Sequence, residues 1–188
     1  MTDSIQNGNE LRDFYLARGE AFLGEIRADH VDQVIGDLVR LRNSGEEITL
    51  AISSPGGETT AGFRLAEFIE QELRARITAR VWGQCSSAAT YTLLCCEKRI
   101  AHPQATFVLH RQTSGIETEY DLYFKKRIRE WERENAQTHR QQVDFYSRKL
   151  NLSKKKVEKI LLRGLGVDAA LSVKQARKIG LITAVSKL

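Results

Sequence analysis

Val81–Thr90, VWGQCSSAAT, is an apolar run that ends in small polar residues and passes straight into helix-forming sequence. It reads as a strand handing a hydroxyl to the start of a helix. A serine at such a junction has two uses. It can cap the helix by accepting a backbone N–H, or it can stand as a nucleophile beside N–H groups that stabilise an oxyanion. Ser86 and Ser87 both qualify, and the stretch alone favours capping, which needs no partner elsewhere.

The neighbouring sequence sets the fold class. Ile77–Trp82 is strand-like, and a helix is expected from about Ser86 to Cys96. Upstream, Ile48–Ile52 (ITLAI) is a compact strand, broken by Ser53-Ser54-Pro55-Gly56-Gly57 and followed by helical spacing from Thr59 to Leu73. Before it, Ala28–Arg42 places Val31, Val34, Ile35, Leu38, Val39 and Leu41 at a helical period, and Asn43-Ser44-Gly45 ends the helix. Phe14–Ile26 suggests strand material with a turn at Arg18-Gly19-Glu20. Strand and helix therefore alternate, which predicts an α/β fold with largely parallel strands and right-handed crossovers.

Downstream, Arg99–Ala101 and Ala105–His110 supply two short strands around Pro103. From about Thr118 to Lys149 no glycine or proline interrupts a highly charged segment in which Tyr120, Phe124, Ile128 and Trp131 form a stripe at helical spacing. A straight helix of that length would run on the order of 48 Å, so it must bend, project or lie against another subunit. The stripe is read as core or subunit contact. A helix over Ser153–Leu162, a loop with Gly164, Gly166 and Asp168, a last helix capped by Ser172 and ending at Gly180, and a strand over Leu181–Val185 complete the chain. Residues 1–13 are expected to be a flexible tail and residues 14–188 a single domain.

Composition narrows the function. The 188 residues are 41% hydrophobic and 28% charged, as in a soluble globular protein. The net charge of +5 is spread over a mixed surface. Lys154-Lys155-Lys156 has neither aromatic residues for stacking nor a glycine loop beside it, so it reads as a solvated face and no nucleic-acid partner is expected. Three cysteines, Cys85 and the adjacent pair Cys95 and Cys96, show no metal or redox spacing and point to a reducing compartment. The polar N-terminus carries no apolar leader core and no run is long enough to span a bilayer, so a cytoplasmic protein without a membrane partner is expected.

Two loops at strand ends, Ser53–Gly57 and Gly83–Ser87, would lie together in such a sheet, where ligand sites form. The Gly56-Gly57 pair is either a tight turn or a bare backbone able to lay N–H groups against a substrate carbonyl. No glycine-rich phosphate-binding pattern is present. A serine nucleophile needs a base, for which His110 is available, and the base needs a carboxylate, for which Asp168 is available. His110 is also a plain strand-end histidine, and Asp168 also suits a turn. Glu58 reads as a solvated carboxylate at a helix start, and Cys85 as a weak alternative nucleophile.

At these residues the chain resembles the Clp protease proteolytic subunit family, serine peptidases of the crotonase-like α/β fold. The resemblance runs from about residue 14 to 185. It rests on Ser54-Pro55-Gly56-Gly57 with Thr60-Ala61-Gly62, on Gly83-Gln84-Cys85-Ser86-Ser87, on Lys98-Arg99-Ile100-Ala101-His102-Pro103, on Val108-Leu109-His110, and on Ala176 with Gly180-Leu181-Ile182. It implies Ser87 rather than Ser86 as nucleophile, His110 as general base and Asp168 as orienting acid. Gly57 and Ala88 would form the oxyanion hole, and Gly56, Gly57 and Arg111 would meet substrate. It further implies a handle helix over about residues 117–150, a homo-oligomeric ring of seven or fourteen subunits, a peptide or unfolded-protein substrate, an AAA+ unfoldase partner, and neither metal nor organic cofactor.

The chain departs from that family pattern in places. Arg111-Gln112 replaces the usual Gln-Pro after the histidine, Ala88 stands where methionine is usual, and Gly166-Val167 replace an Asp-Arg pair that couples two rings. Two other readings follow from the same residues: a catalytically silent ring subunit, and an acyl-CoA hydratase or isomerase of the same fold.

Overall fold

The computed structural model describes residues 10–45, 47–73, 76–112, 123–166 and 169–187. The chain divides into two compact units, one of residues 1–108 with 170–188 and one of residues 109–169.

The first unit is built on a parallel sheet, of the ClpP-type α/β fold. Strand β1 (Glu20–Leu23) pairs with β2 (Thr49–Ser54), β2 with β3 (Thr78–Ser86), β3 with β4 (Lys98–Ala101), and β4 with β7 (Ala184–Val185), all in parallel. The crossovers are helices α2 (Ala28–Ser44), α3 (Thr59–Gln71) and α4 (Ala89–Leu94). Apolar residues of both layers, among them Leu23, Leu50, Ile52, Leu65, Ile69 and Leu93, are fully buried, each stabilising by about 1.5–3 kcal/mol. Helix α2 ends as its sequence suggests, on Gly45 in the left-handed conformation at φ 78°.

Strand β3 is longer than its apolar run. Thr78–Val81 lies between β2 and β4, but Gln84–Ser86 changes neighbour and pairs in parallel with β5 (Thr106–Val108). That second ladder carries the strand through Gly83 to Ser86 and delays α4 to Ala89. Strand β5 in turn pairs antiparallel with β6 (Leu171–Ser172). Helix α7 (Val173–Lys178) opens on a capping box, with Ser172 Oγ accepting from Gln175 N–H and Gln175 Oε1 accepting from Ser172 N–H.

The strand reading of Phe14 is corrected. Residues 10–16 form a helix, α1, and the strand begins only after the turn at Gly19. Two side chains hold the helix down. Tyr15 stacks on Phe22 of β1 with ring centres 4.9 Å apart, and Arg12 makes two 2.7 Å hydrogen bonds to the buried Asp37 of α2.

The second unit contains α5 (Phe124–Leu150) and α6 (Lys154–Arg163). Helix α5 is about 40 Å long. Only its last third is deeply buried, through Gln142, Val143, Phe145, Tyr146 and Leu150, while Phe124, Ile128 and Trp131 are half-covered. Tyr120 of the expected stripe lies outside the described residues, as does the handle segment before residue 123. Lys154, Lys155 and Lys156 are exposed, and Lys154 pairs with Asp144, so the lysine cluster is a solvated face. Among the described residues, no helix is long and apolar enough to cross a membrane.

The Arg12–Asp37 pair makes a test. Arg12→Met would leave a buried carboxylate without its partner, at a cost of about 2 kcal/mol. The urea midpoint should fall accordingly and amide protection in α1 should be lost; an unchanged midpoint would mean that α1 is held by its aromatic contacts alone.

Candidate active site

Ser87 sits where β3 gives way to α4, and its backbone is left-handed, with φ 53°. For a residue other than glycine that conformation costs about 1–3 kcal/mol and persists only where surrounding bonds hold it. They do so here. Ser87 N–H donates to Val108 O at 2.7 Å, and Ser87 O accepts from Thr90 N–H at 3.0 Å and Thr90 Oγ1 at 2.6 Å. The turn leaves Ser87 half-exposed between the buried Ser86 and Ala88. Capping, the other use of a serine here, is not realised, because the N-cap position of α4 is Ala88 and carries no side-chain cap.

Gly56 packs against this turn. A Cβ built on it would stand 2.6 Å from Ser87 Cβ, 2.7 Å from Ser86 O and 3.2 Å from Ala88 N, so only a bare backbone fits. Both Gly56 (φ 98°) and Gly57 (φ 143°) also adopt conformations closed to other residues. Ile26 clamps the pair, its N–H donating to Gly56 O and its O accepting from Glu58 N–H, each at 2.8 Å, and a Cβ on Gly57 would collide with the Ile26 carbonyl. Ser54 Oγ accepts from Gly56 N–H at 3.1 Å. The N–H groups of Gly57 and Ala88 donate to no group among the described residues. The first unit thus brings Gly56, Gly57, Ser87 and Ala88 into one cluster with two unused donors.

Cys85 and Glu58 stand apart from this chemistry. Cys85 is fully buried, and that burial, with a smaller contribution from Cys96, pushes its thiol well above the usual range, so it holds its proton. Glu58 is an exposed residue at the start of α3.

His110 and Arg111 belong to the second unit. His110 is half-buried, and its Nδ1 lies 2.8 Å from Arg111 O. A carbonyl only accepts, so Nδ1 is the donor in this contact. The segment is held from both sides. Gln142 Nε2 donates to His110 O at 2.9 Å, Gln112 N–H donates to Gln142 Oε1 at 3.2 Å, and Arg111 N–H donates to Leu161 O at 3.1 Å. The Arg111 side chain is exposed. Asp168 lies outside the described residues.

The role of Gln142 was not anticipated from the sequence. Its spacing of three and four from the buried Phe145 and Tyr146 marks it as polar on an apolar face, a signal visible only once the helix is known to pack there.

Comparison with known proteins agrees with this architecture. The Clp protease family profile matches residues 9–187, and the chain belongs to that family. It is 26% identical to the ATP-dependent Clp protease proteolytic subunit 1 of Chlamydia abortus, over 78% of this chain and 73% of the relative. It is 27% identical to the protein of that description from Chlamydia trachomatis over the same shares. With proteolytic subunit 2 of Treponema denticola it shares 26% identity over 94% of this chain and 86% of the relative.

The buried Cys85 carries a pH signature. A folded thiol with a raised value keeps its proton while the unfolded thiol loses it, so unfolding releases a proton above about pH 9 and stability falls as pH rises further. Guanidinium midpoints should drop between pH 7.5 and 10, and Cys85→Ala should reduce that drop; an equal drop in the variant would exclude Cys85 as its source.

Proposed function

We propose that this chain is a serine endopeptidase that hydrolyses peptides and unfolded proteins by acyl transfer, with Ser87 as nucleophile, His110 as general base and Asp168 as the acid that orients the base. The observation that carries the reading is the left-handed Ser87 at the strand-to-helix turn, tied at its N–H to Val108 and packed against Gly56. Strain held at a half-exposed serine has no structural return in the absence of a cap.

In this mechanism Ser87 Oγ attacks the scissile carbonyl while His110 Nε2 takes its proton. The N–H groups of Gly57 and Ala88 receive the negative charge that develops on the carbonyl oxygen. His110 then returns the proton to the leaving amine, and water attacks the acyl-enzyme by the reverse route. The proton on His110 Nδ1 supports this direction of transfer. Val108, which binds Ser87 N–H, stands two residues before His110 in the chain. Gly56, Gly57 and the exposed Arg111 serve as substrate-binding groups.

The chain acts in this reading as a subunit of a homo-oligomeric ring in the cytoplasm, fed by an AAA+ unfoldase. Exposed Leu162 and Leu165 in the second unit support a subunit contact. The relatives named as ATP-dependent proteolytic subunits support the unfoldase.

Intact-mass measurement after a fluorophosphonate probe tests the nucleophile. One adduct is expected on the native chain and on Ser86→Ala, and none on Ser87→Ala. Asp168→Asn should lower peptide turnover by roughly a hundredfold or more while leaving the fold intact. An assembled native chain that takes no label with the unfoldase present would make it a silent ring subunit. Sedimentation velocity should show a single ring species, and a monomer at micromolar concentration would overturn the assembly.

A further inference from the structure

We propose that Gly164, at the end of α6, is a positioning residue for His110: its missing side chain lets the turn close directly on the backbone that carries the imidazole. The inference rests on the reading of His110 as the general base.

Gly164 caps the C-terminus of α6, a place where glycine ordinarily serves to turn left-handed. That reason is absent here. Its φ of −62° and ψ of −9° are right-handed and open to any residue, and its N–H donates to Ile160 O at 3.1 Å as in a continuing helix. Helix propensity alone would favour alanine. What excludes a side chain is space. A Cβ on Gly164 would collide with Leu109 O and stand 2.6 Å from Leu109 C and 2.8 Å from His110 Cα. All three are main-chain atoms, which no change of rotamer can clear.

The same helix holds the segment at a second point, because Leu161 O accepts from Arg111 N–H at 3.1 Å. Helix α6 therefore grips the chain on both sides of His110, by close contact before it and by a hydrogen bond after it. Gln142 holds the segment too, donating to His110 O at 2.9 Å and accepting from Gln112 N–H at 3.2 Å. Leu109 is 2% exposed, so the backbone has no free space into which to retreat. A methyl group at position 164 must displace either the end of α6 or the His110 backbone, and the imidazole moves with the Cα that bears it. Asp168, the proposed orienting acid, follows four residues later in the chain. One contact thereby sets both the backbone of the base and the start of the segment that bears the acid.

The test compares Gly164→Ala with Gly36→Ala, a control within α2 where a Cβ would meet nothing within 4 Å. Assembled protein is labelled with 15N-histidine; four histidines are present, and His110→Asn assigns the relevant signals. Gly36→Ala should leave every histidine signal and the rate of fluorophosphonate labelling of Ser87 unchanged. In Gly164→Ala the His110 signals alone should move, and labelling should slow by about tenfold or more. Arg163→Gly, which loosens the last turn of α6 without adding volume, serves if the alanine variant does not fold; there the His110 signals should broaden and labelling should slow. A folded variant whose His110 signals stay native overturns the proposal, as does one whose signals change while labelling keeps its native rate. Absence of labelling in the native chain would instead defeat the reading of the triad, and the spectra would still decide whether Gly164 sets the imidazole.

Discussion

The absence of a side chain at Gly56 is the constraint on which the candidate site depends. The loop after β2 meets the turn after β3 so closely that a single methyl group would overlap Ser87 Cβ and Ser86 O. Bringing the two loops together requires a register shift between Ile52 and Ser54, and it is fastened by Ser54 Oγ on one side and Ile26 on the other. Helix α3 adds to the squeeze, because a Cβ on its Gly62 would come within 3.0 Å of Ala88 Cβ. The glycines are therefore spatial requirements, and the left-handed Ser87 is held inside the space they leave.

Much of this architecture was legible because each element carries its own period or stop signal. The helices α2, α3 and α6 follow from apolar spacing with Gly45, Gly57 and Ser153 at their borders. What escaped detection depends on neighbours distant in the chain. The strand β3 extends past Trp82 because β5 offers a second ladder, and nothing within Gly83–Cys85 announces a partner more than twenty residues away. Phe14 and Tyr15 look like strand residues locally, but a buried carboxylate on α2 draws Arg12 inward and sets a helix there.

The candidate site divides in the same way. Gly56-Gly57 and the serine pair stood out as residue types, since their chemistry is carried by small size and a hydroxyl. The choice between Ser86 and Ser87 came from resemblance alone; in the structure the two differ in backbone, Ser87 being left-handed and half-exposed and Ser86 buried in β3. The support of His110 was invisible, because it passes through main-chain groups and one glutamine on a helix more than thirty residues away.

The exchange of neighbours along β3 gives its two ends different tolerances for a change of side chain. Its first four residues are locked between β2 and β4 in the sheet centre, where side-chain volume is tightly restricted. Its last three touch β5, itself three residues long and followed at once by the segment that bears His110. A change of volume at Thr78–Val81 is therefore felt by two central neighbours at once, whereas one at Gln84 or Ser86 is felt by a strand only three residues long.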